Sequence, residues 1–369
     1  MNNKNFQTYF DCGVSKVRAG TFNKNKDDEA FYSESEFFTD LLNLELKIQK
    51  IIVSLESDTD EYINNINLMI DSSKMLSVGI SLFKKLDGSK LKQANIQFLI
   101  QDAKQQIARY YPNQNITHII INKYKIDGVD YSYLPNDIKC YFVSLDILFI
   151  CLPIELVLYF KSIFAKSNIL INRIICSSYA KSINYKDNLN LDEHVSFIDI
   201  GFNKTSITSF FNDKILSLNV LSLGGNNITK DISQILKIDL EESERLKINF
   251  YKNIKLFSSA DISAEILKKI IFARIEEIFE LCVKSIELNS HVLEKSKIVL
   301  IGKGSKILDN LYKDIISTSN ELEFLDETPE DICRSGLKCV AQLNKHEVIM
   351  VPKRQIKQGF FEKLFHFFN

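Results

Sequence analysis

Apolar positions fall into short β-type runs near the two ends of the chain and into helical stripes between them. Residues 6–22 read as two β-type runs joined by a turn at Asp11-Cys12-Gly13. Ser196–Thr208 repeats that arrangement around Asp199-Ile200-Gly201. After a polar stretch at 23–34 that becomes strand-like, Phe38–Leu55 places Leu42, Leu46, Ile48, Ile51, Ile52 and Leu55 at near-helical spacing, which predicts an amphipathic helix. Strands are predicted at Ile66–Ile70, 76–83 and Ile116–Ile121, with a helix over 94–110. A strand near 145–152, a helix over 154–166 and a strand over 169–176 follow in β-α-β order. That order predicts parallel pairing of the two strands within an α/β layer.

The second half opens on the strand Val195–Ile200. It then predicts a helix at Asp231–Leu236, capped by Asn227 or Thr229, a helix over Glu241–Lys247, and a long helix over 262–290 with a stripe of Ile266, Ile270, Ile271, Ile275, Ile278 and Leu281. Ile298–Ile301 predicts a buried strand that opens into Gly302-Lys303-Gly304-Ser305. Residues 344–357 read as a polar linker. Beyond it, a helix would put Phe360, Phe361, Leu364, Phe365, Phe367 and Phe368 on one face, with Glu362, Lys363, His366 and Asn369 on the other. That is the pattern of an interfacial helix lying in a lipid headgroup region. Lys353, Arg354, Lys357 and Lys363 add attraction to anionic lipid.

Composition narrows the classes. A chain of 369 residues suggests two domains or more, and a net charge of −1 provides no basic field for nucleic acid. The seven cysteines are scattered without a Cys-x-x-Cys pair. They read as reduced, buried thiols of a cytoplasmic protein and give no zinc pattern. The opening MNNKNFQTYFD has no apolar signal-peptide core. The longest apolar run, Leu145–Phe160, is broken by Asp146, Pro153 and Glu155 and does not predict a bilayer span.

The candidate chemistry lies in the glycine turns. A glycine after each aspartate lets backbone approach a ligand closely, and successive N–H groups in such a turn can cradle phosphate. Asp11 and Asp199 are placed to hold a metal ion, directly or through water. Gly224-Gly225-Asn226 precedes a predicted helix whose N-terminus would add an anion site. Glu244 and Lys247 share a helix face at i, i+3.

Taken in order, these motifs resemble the actin/Hsp70/sugar-kinase superfamily, and within it the FtsA family of bacterial division proteins, over nearly the whole chain. The carriers are Asp11, Gly13, Ser15 and Lys16 in the first turn and Asp199, Gly201 and Thr205 in the second. They continue with Leu223-Gly224-Gly225-Asn226-Asn227-Ile228-Thr229-Lys230-Asp231-Ile232, with Gly302, Gly304 and Ser305, and with the segment His118 to Gly128, HIIINKYKIDG. The resemblance implies a two-lobed actin-like (ribonuclease H-like) α/β fold with an inserted 1C-type subdomain and a C-terminal amphipathic helix. The implied units are 1A (1–70 and 145–192), 1C (71–144), 2A (193–226 and 297–343), 2B (227–296), a linker (344–357) and a membrane-targeting helix (358–369).

It also implies ATP and Mg²⁺ as cofactors. Asp11, Gly13, Ser15, Lys16, Asp199, Gly201, Thr205, Gly224, Gly225, Asn226, Glu244, Lys247, Gly302, Gly304 and Ser305 would surround the nucleotide, with Asp11 and Asp199 handling the metal. Arg274 would meet the C-terminal tail of the tubulin-like protein FtsZ. Phe360, Phe361, Lys363, Leu364, Phe365, Phe367 and Phe368 would bind the inner face of the cell membrane at the septum. Filaments would form by self-association, and later division proteins would dock on 1C. The chain departs from the family pattern at Val14, Phe202, Asn203 and Lys303. Those departures weigh against efficient hydrolysis and favour a binding and assembly protein over an enzyme. Lys204 could return charge to the second turn, and His118 reads as a strand histidine with a structural hydrogen bond. A PilM-like adaptor of a type IV pilus system and a small-molecule kinase are the competing resemblances.

Overall fold

The computed structural model describes residues 5–26, 29–36, 44–135, 137–189, 194–212, 214–252, 262–289, 297–306 and 321–346. The tail expected to bind membrane, including the seven residues from Phe360 to Phe368 named above, lies outside the described residues.

Two five-stranded sheets share one topology. In the first, β1 (Phe6–Cys12), β2 (Lys16–Asn23) and β3 (Ala30–Glu36) form an antiparallel meander. β4 (Asn65–Ile70) and β9 (Leu170–Cys176) extend it in parallel, giving the order β3-β2-β1-β4-β9. In the second, β10 (Val195–Ile200), β11 (Thr205–Phe211) and β12 (Lys214–Leu221) repeat the meander. β13 (Lys297–Ile301) and β14 (Glu321–Phe324) extend it in parallel, giving β12-β11-β10-β13-β14. The central strands β1 and β10 are apolar on both faces and buried, as a strand covered by helices on both sides must be.

A third sheet, antiparallel and in the order β5-β8-β6-β7, belongs to the segment between β4 and β9. It comprises β5 (Leu76–Lys85), β6 (Gln114–Ile126), β7 (Val129–Tyr131) and β8 (Phe142–Pro153), with α2 (Gln93–Tyr110) packed on it through Ile96, Leu99, Ala103 and Ile107. This corrects one expectation. The 145–152 strand does not pair in parallel with 169–176. It is the centre of the inserted sheet, antiparallel to β5 and β6. The run was misleading because β8 is apolar on both faces. Leu145, Ile147, Phe149 and Cys151 belong to the inserted core, while Leu148, Ile150 and Leu152 belong to the main core. A strand buried on both sides looks alike in either sheet type. His118 joins the two units as expected: its Nε2 accepts the Cys176 N–H at 2.8 Å.

Among the described residues the remaining helices are α1 (Leu44–Thr59), α3 (Ile154–Lys166), α4 (Ser177–Asn188), α5 (Gly225–Leu236), α6 (Leu240–Lys252), α7 (Ile262–Asn289) and α8 (Pro329–His346). α4 follows the last strand of the first sheet and α8 follows the last strand of the second, and the two pack on each other. One core runs through both halves, from Tyr9, Phe10 and Leu68 to Phe197, Val299 and Cys333. α7 buries Ile270, Ile271, Ile275 and Ile278 against α5 and the far face of the second sheet. All seven cysteines are buried and free of disulfides.

Candidate functional site

In open sheets with parallel strands, ligands meet the chain beyond the carboxyl ends of the strands. Here those ends converge between the two halves. The β1–β2 and β10–β11 turns are built alike: Gly13 N–H donates to Lys16 O and Gly201 N–H to Lys204 O, each at 2.9 Å. A Cβ at either glycine would lie 3.2 or 3.1 Å from that carbonyl oxygen, so both turns close tightly. Each turn therefore has the form Asp-x-Gly-x-x-Lys, and both lysines are drawn inward.

Lys204 Nζ lies 2.9 Å from Asp71 Oδ2, just beyond β4, and it donates to Ser178 Oγ (3.1 Å) and Ser206 Oγ (2.5 Å). Lys181 of α4 sits 2.6 Å from Asp199 Oδ2 and 3.1 Å from Glu327 Oε1. Glu327 follows β14. Its carboxyl also accepts the Gly302 N–H (2.8 Å) and the Tyr185 hydroxyl (2.9 Å). Asp11 accepts from Arg18 Nη1 at 2.9 Å and from Ser177 Oγ at 2.6 Å. Burial would raise the Asp199 carboxyl, but Lys181 and Lys204 outweigh it and hold it below the usual range. Burial opposes the charge of Lys181 as well, and Asp199 with Glu327 overcomes that and raises it. Glu327 moves the other way, pushed up by burial and by neighbouring Asp199 against the pull of Lys181.

The start of α5 lies against the second turn. Gly225 N–H donates to Gly201 O (3.0 Å) and Asn226 N–H to Phe202 O (2.7 Å), while Gly224 N–H is taken by Asn227 Oδ1 (3.0 Å). This corrects the expected helix start at Asp231. The helix begins at Gly225, because the paired glycines fit the turn closely enough to begin the helix there. Asn227 folds back on the cap from the first turn and does not precede the helix. Lys247 and Glu244 of α6 are also occupied: Lys247 Nζ reaches Gly225 O (2.9 Å), Thr229 Oγ1 (2.9 Å) and Glu244 Oε2 (2.6 Å). Burial lowers the Lys247 pKa against the pull of Glu244.

Thr205 Oγ1 donates to Leu223 O, Gly304 N–H to Ile200 O, and Ser305 Oγ to Gly302 O. Gly13 is exposed and Ser15 half-buried at the tip of the first turn. Arg274 stands apart on α7. Its guanidinium forks onto Asp231 (Nε to Oδ2 2.6 Å, Nη2 to Oδ1 3.0 Å) and also meets Glu277.

The expected residues thus gather at one cleft, apart from Arg274 and the undescribed tail. As they stand, they do not fit a magnesium–nucleotide. Both aspartates are held by fixed cations, and the leading N–H groups of α5 and the Gly302 N–H have acceptors within the chain. Among the described residues, no three His, Cys, Asp or Glu converge into an all-protein metal cage.

Sequence reasoning passed over Arg18, Asp71, Ser177, Ser178, Lys181, Tyr185 and Glu327. A signal existed for several of them. Asp71, Ser177 and Ser178 are the polar residues that come directly after buried parallel strands.

Lys16 gives a testable consequence. Burial first, and the neighbouring Lys303 second, pull its pKa from 10.5 down to about 8, with Glu34 opposing. Between those values the unfolded chain holds a proton that the folded chain has released, so stability rises with pH through that window. Denaturation midpoints measured at about pH 7.5 and about 9.5 should show a larger rise in the natural chain than in Lys16→Met. Equal rises would contradict the assignment.

Comparisons with known proteins bear on the family and the fold. The family model described as "Cell division protein FtsA" matches residues 196–278, from β10 through most of α7. The chain resembles FtsA. It is 50% identical to the FtsA of Bacillus subtilis (strain 168) over 62 residues, which is 17% of this chain and 14% of that protein. It is 20% identical to the FtsA of Agrobacterium fabrum over 296 residues, 74% of this chain and 66% of that protein. The chain therefore spans less than two thirds of the length of these FtsA relatives. In fold it is similar to a solved PilM–PilN type IV pilus biogenesis complex, with a TM-score of 0.63, 14% identity, and 92% of this chain and 97% of that one covered. The repeated sheets and this likeness give the chain the actin-like fold. The FtsA match spans the stretch that contains Asp199, Gly224, Gly225 and Lys247.

Proposed function

We propose that this chain is an FtsA-type adaptor of bacterial division that joins FtsZ to the cytoplasmic membrane at the septum. The observation that carries the reading is the FtsA match over 196–278, which takes in α5, α6 and most of α7. On this reading the lobe containing α7 grips the acidic C-terminal tail of FtsZ, and the tail at 358–369 lies on the membrane. The inserted β5–β8 sheet corresponds to subdomain 1C and meets other division proteins, and copies of the chain assemble as actin-like subunits. Among the described residues no helix is long and apolar enough to cross a membrane. ATP and Mg²⁺ belong to the family expectation, and no step of this proposal passes through them.

Arg274 supports a tail-binding role with a condition attached. Its fork is held by Asp231 and Glu277, so an incoming carboxylate has to compete with Asp231. Binding of a fluorescent peptide from the C-terminus of the organism's own FtsZ tests the reading, with Arg274→Glu as the control. Micromolar binding, weakened tenfold or more in a control that still melts cooperatively, is expected on the scale of one charged interface contact. Absence of binding well above micromolar would sink the FtsZ reading and bring the pilus-type adaptor forward.

A further inference from the structure

The charged groups of the cleft form links across the two halves, and each link has the chemistry of a missing ligand atom. Lys181 rises from α4, beyond the first sheet, and bridges Asp199 and Glu327 of the second. Lys204 runs the other way, from the second sheet's turn to Asp71 beyond the first. Ser178 and Ser206 close the gap between them at 2.9 Å. A divalent ion joining acids from the two lobes would do what these two ammonium groups do. Glu327 supplies the opposite sign. Its carboxyl takes a backbone N–H from the Gly302 turn, a hydroxyl from Tyr185 and an ammonium from Lys181, the donors that an anionic phosphate oxygen would seek.

The same substitution is seen at α5. A helix start leaves N–H groups without partners, and those groups make it an anion site. Here Gly201 O and Phe202 O accept them, and a Cβ on Gly224 would lie 2.6–2.8 Å from three backbone atoms of the second turn, so helix and turn are in full contact. Lys181, Asp199 and Glu327 are all nearly buried, with side-chain exposures of 8, 10 and 7%.

We propose that the cleft is clamped by the chain's own charges, with Glu327 seated as an internal anion and Lys181 and Lys204 as cross-lobe cations, so that the closed two-lobe state forms without a magnesium–nucleotide and a triphosphate must first displace Glu327. The proposal stands apart from the FtsZ reading, because an adaptor of either kind could hold its lobes together in this way.

The test uses the full chain. Melting curves and small-angle scattering are recorded without nucleotide, with about 5 mM ATP and excess Mg²⁺, and with ATP and EDTA. The expected result is a melting temperature constant to about 1 °C and an unchanged radius of gyration, since a ligand shifts melting only when it binds the folded state at that concentration. A rise of several degrees with MgATP, or compaction on its addition, would overturn the proposal. A fluorescent ATP analogue is then titrated into the natural chain and into Glu327→Ala. Removal of the internal anion frees the Gly302 N–H and leaves Lys181 with Asp199 as its remaining carboxylate, and affinity should rise about tenfold or more, the effect of one hydrogen bond to a charged group. A folded Glu327→Ala that binds no more tightly than the natural chain would also overturn it. If that variant does not fold, the melting and scattering of the natural chain decide alone.

Discussion

Replacing Lys181 by methionine should lower the unfolding free energy by roughly 3–5 kcal/mol, the range for removing one partner of a buried ion pair. Methionine keeps most of the lysine volume, so the loss is mainly electrostatic. Asp199 and Glu327 both face Lys181 with nearly buried side chains, and without its ammonium they are left as neighbouring carboxyls in a low dielectric. One of them must take a proton, and the Lys204–Asp71 link is left as the remaining cation bridge described between the sheets at this point. Denaturant unfolding at neutral pH, fitted with a common m-value, measures the effect. A loss below about 1 kcal/mol, the size typical of an exposed pair, would show that Lys181 does not hold the cleft. Lys181→Met combined with Glu327→Gln should recover part of the loss, because the double variant removes the like-charge contact that the single one creates. The two substitutions should therefore be strongly non-additive.

The clamp also explains which parts of the molecule were legible in the sequence. Periodicity placed α3, α7 and the strands at 66–70, 195–200 and 298–301 close to their observed limits, because each carries an apolar run or stripe bounded by polar residues. β8 was assigned to the wrong sheet because it serves two cores at once, and its pattern does not record which strand lies beside it. The turns were legible for a local reason: Asp-x-Gly recurs after an apolar strand, and a side chain at either glycine would crowd a backbone carbonyl of its own turn.

The partners of those turns were not legible. Lys181 and Asp199 are 18 residues apart, and Lys181 and Glu327 are 146 apart, so no spacing rule connects them. Lys181 is the clearest case. On α4 it occupies a helix with little amphipathic pattern, where a lysine is normally read as solvated. It is buried only because both sheets converge on that helix. Such residues become visible once the topology shows which strand ends meet.

Gly224→Ala should cost about 3 kcal/mol or more, combining roughly 1–3 for overpacking with about 1 for each backbone hydrogen bond lost. The cause is steric. Gly224 has φ −169°, an extended conformation open to any residue. An added Cβ, however, would sit 2.6 Å from Gly201 O, 2.7 Å from Phe202 O and 2.8 Å from Lys204 N. All three are backbone atoms of a closed four-residue turn, so none can rotate away. The helix start must retreat, and the bonds from Gly225 N–H to Gly201 O and from Asn226 N–H to Phe202 O are lost with it. Lys204 would move with the turn, which loosens its pair with Asp71, so the cost extends from α5 to the clamp.

The neighbouring glycine provides the control. A Cβ at Gly225 would meet only Lys247 Nζ at 3.4 Å and Gly201 O at 3.8 Å, and alanine is the better helix former. Gly225→Ala should therefore stay within about 1 kcal/mol of the natural chain. Urea unfolding of the two variants side by side separates the explanations. A large loss confined to Gly224→Ala identifies contact between turn and helix as the constraint on the first glycine. Equal losses would mean that the pair is needed for backbone freedom, a requirement that neither its φ nor its neighbours impose.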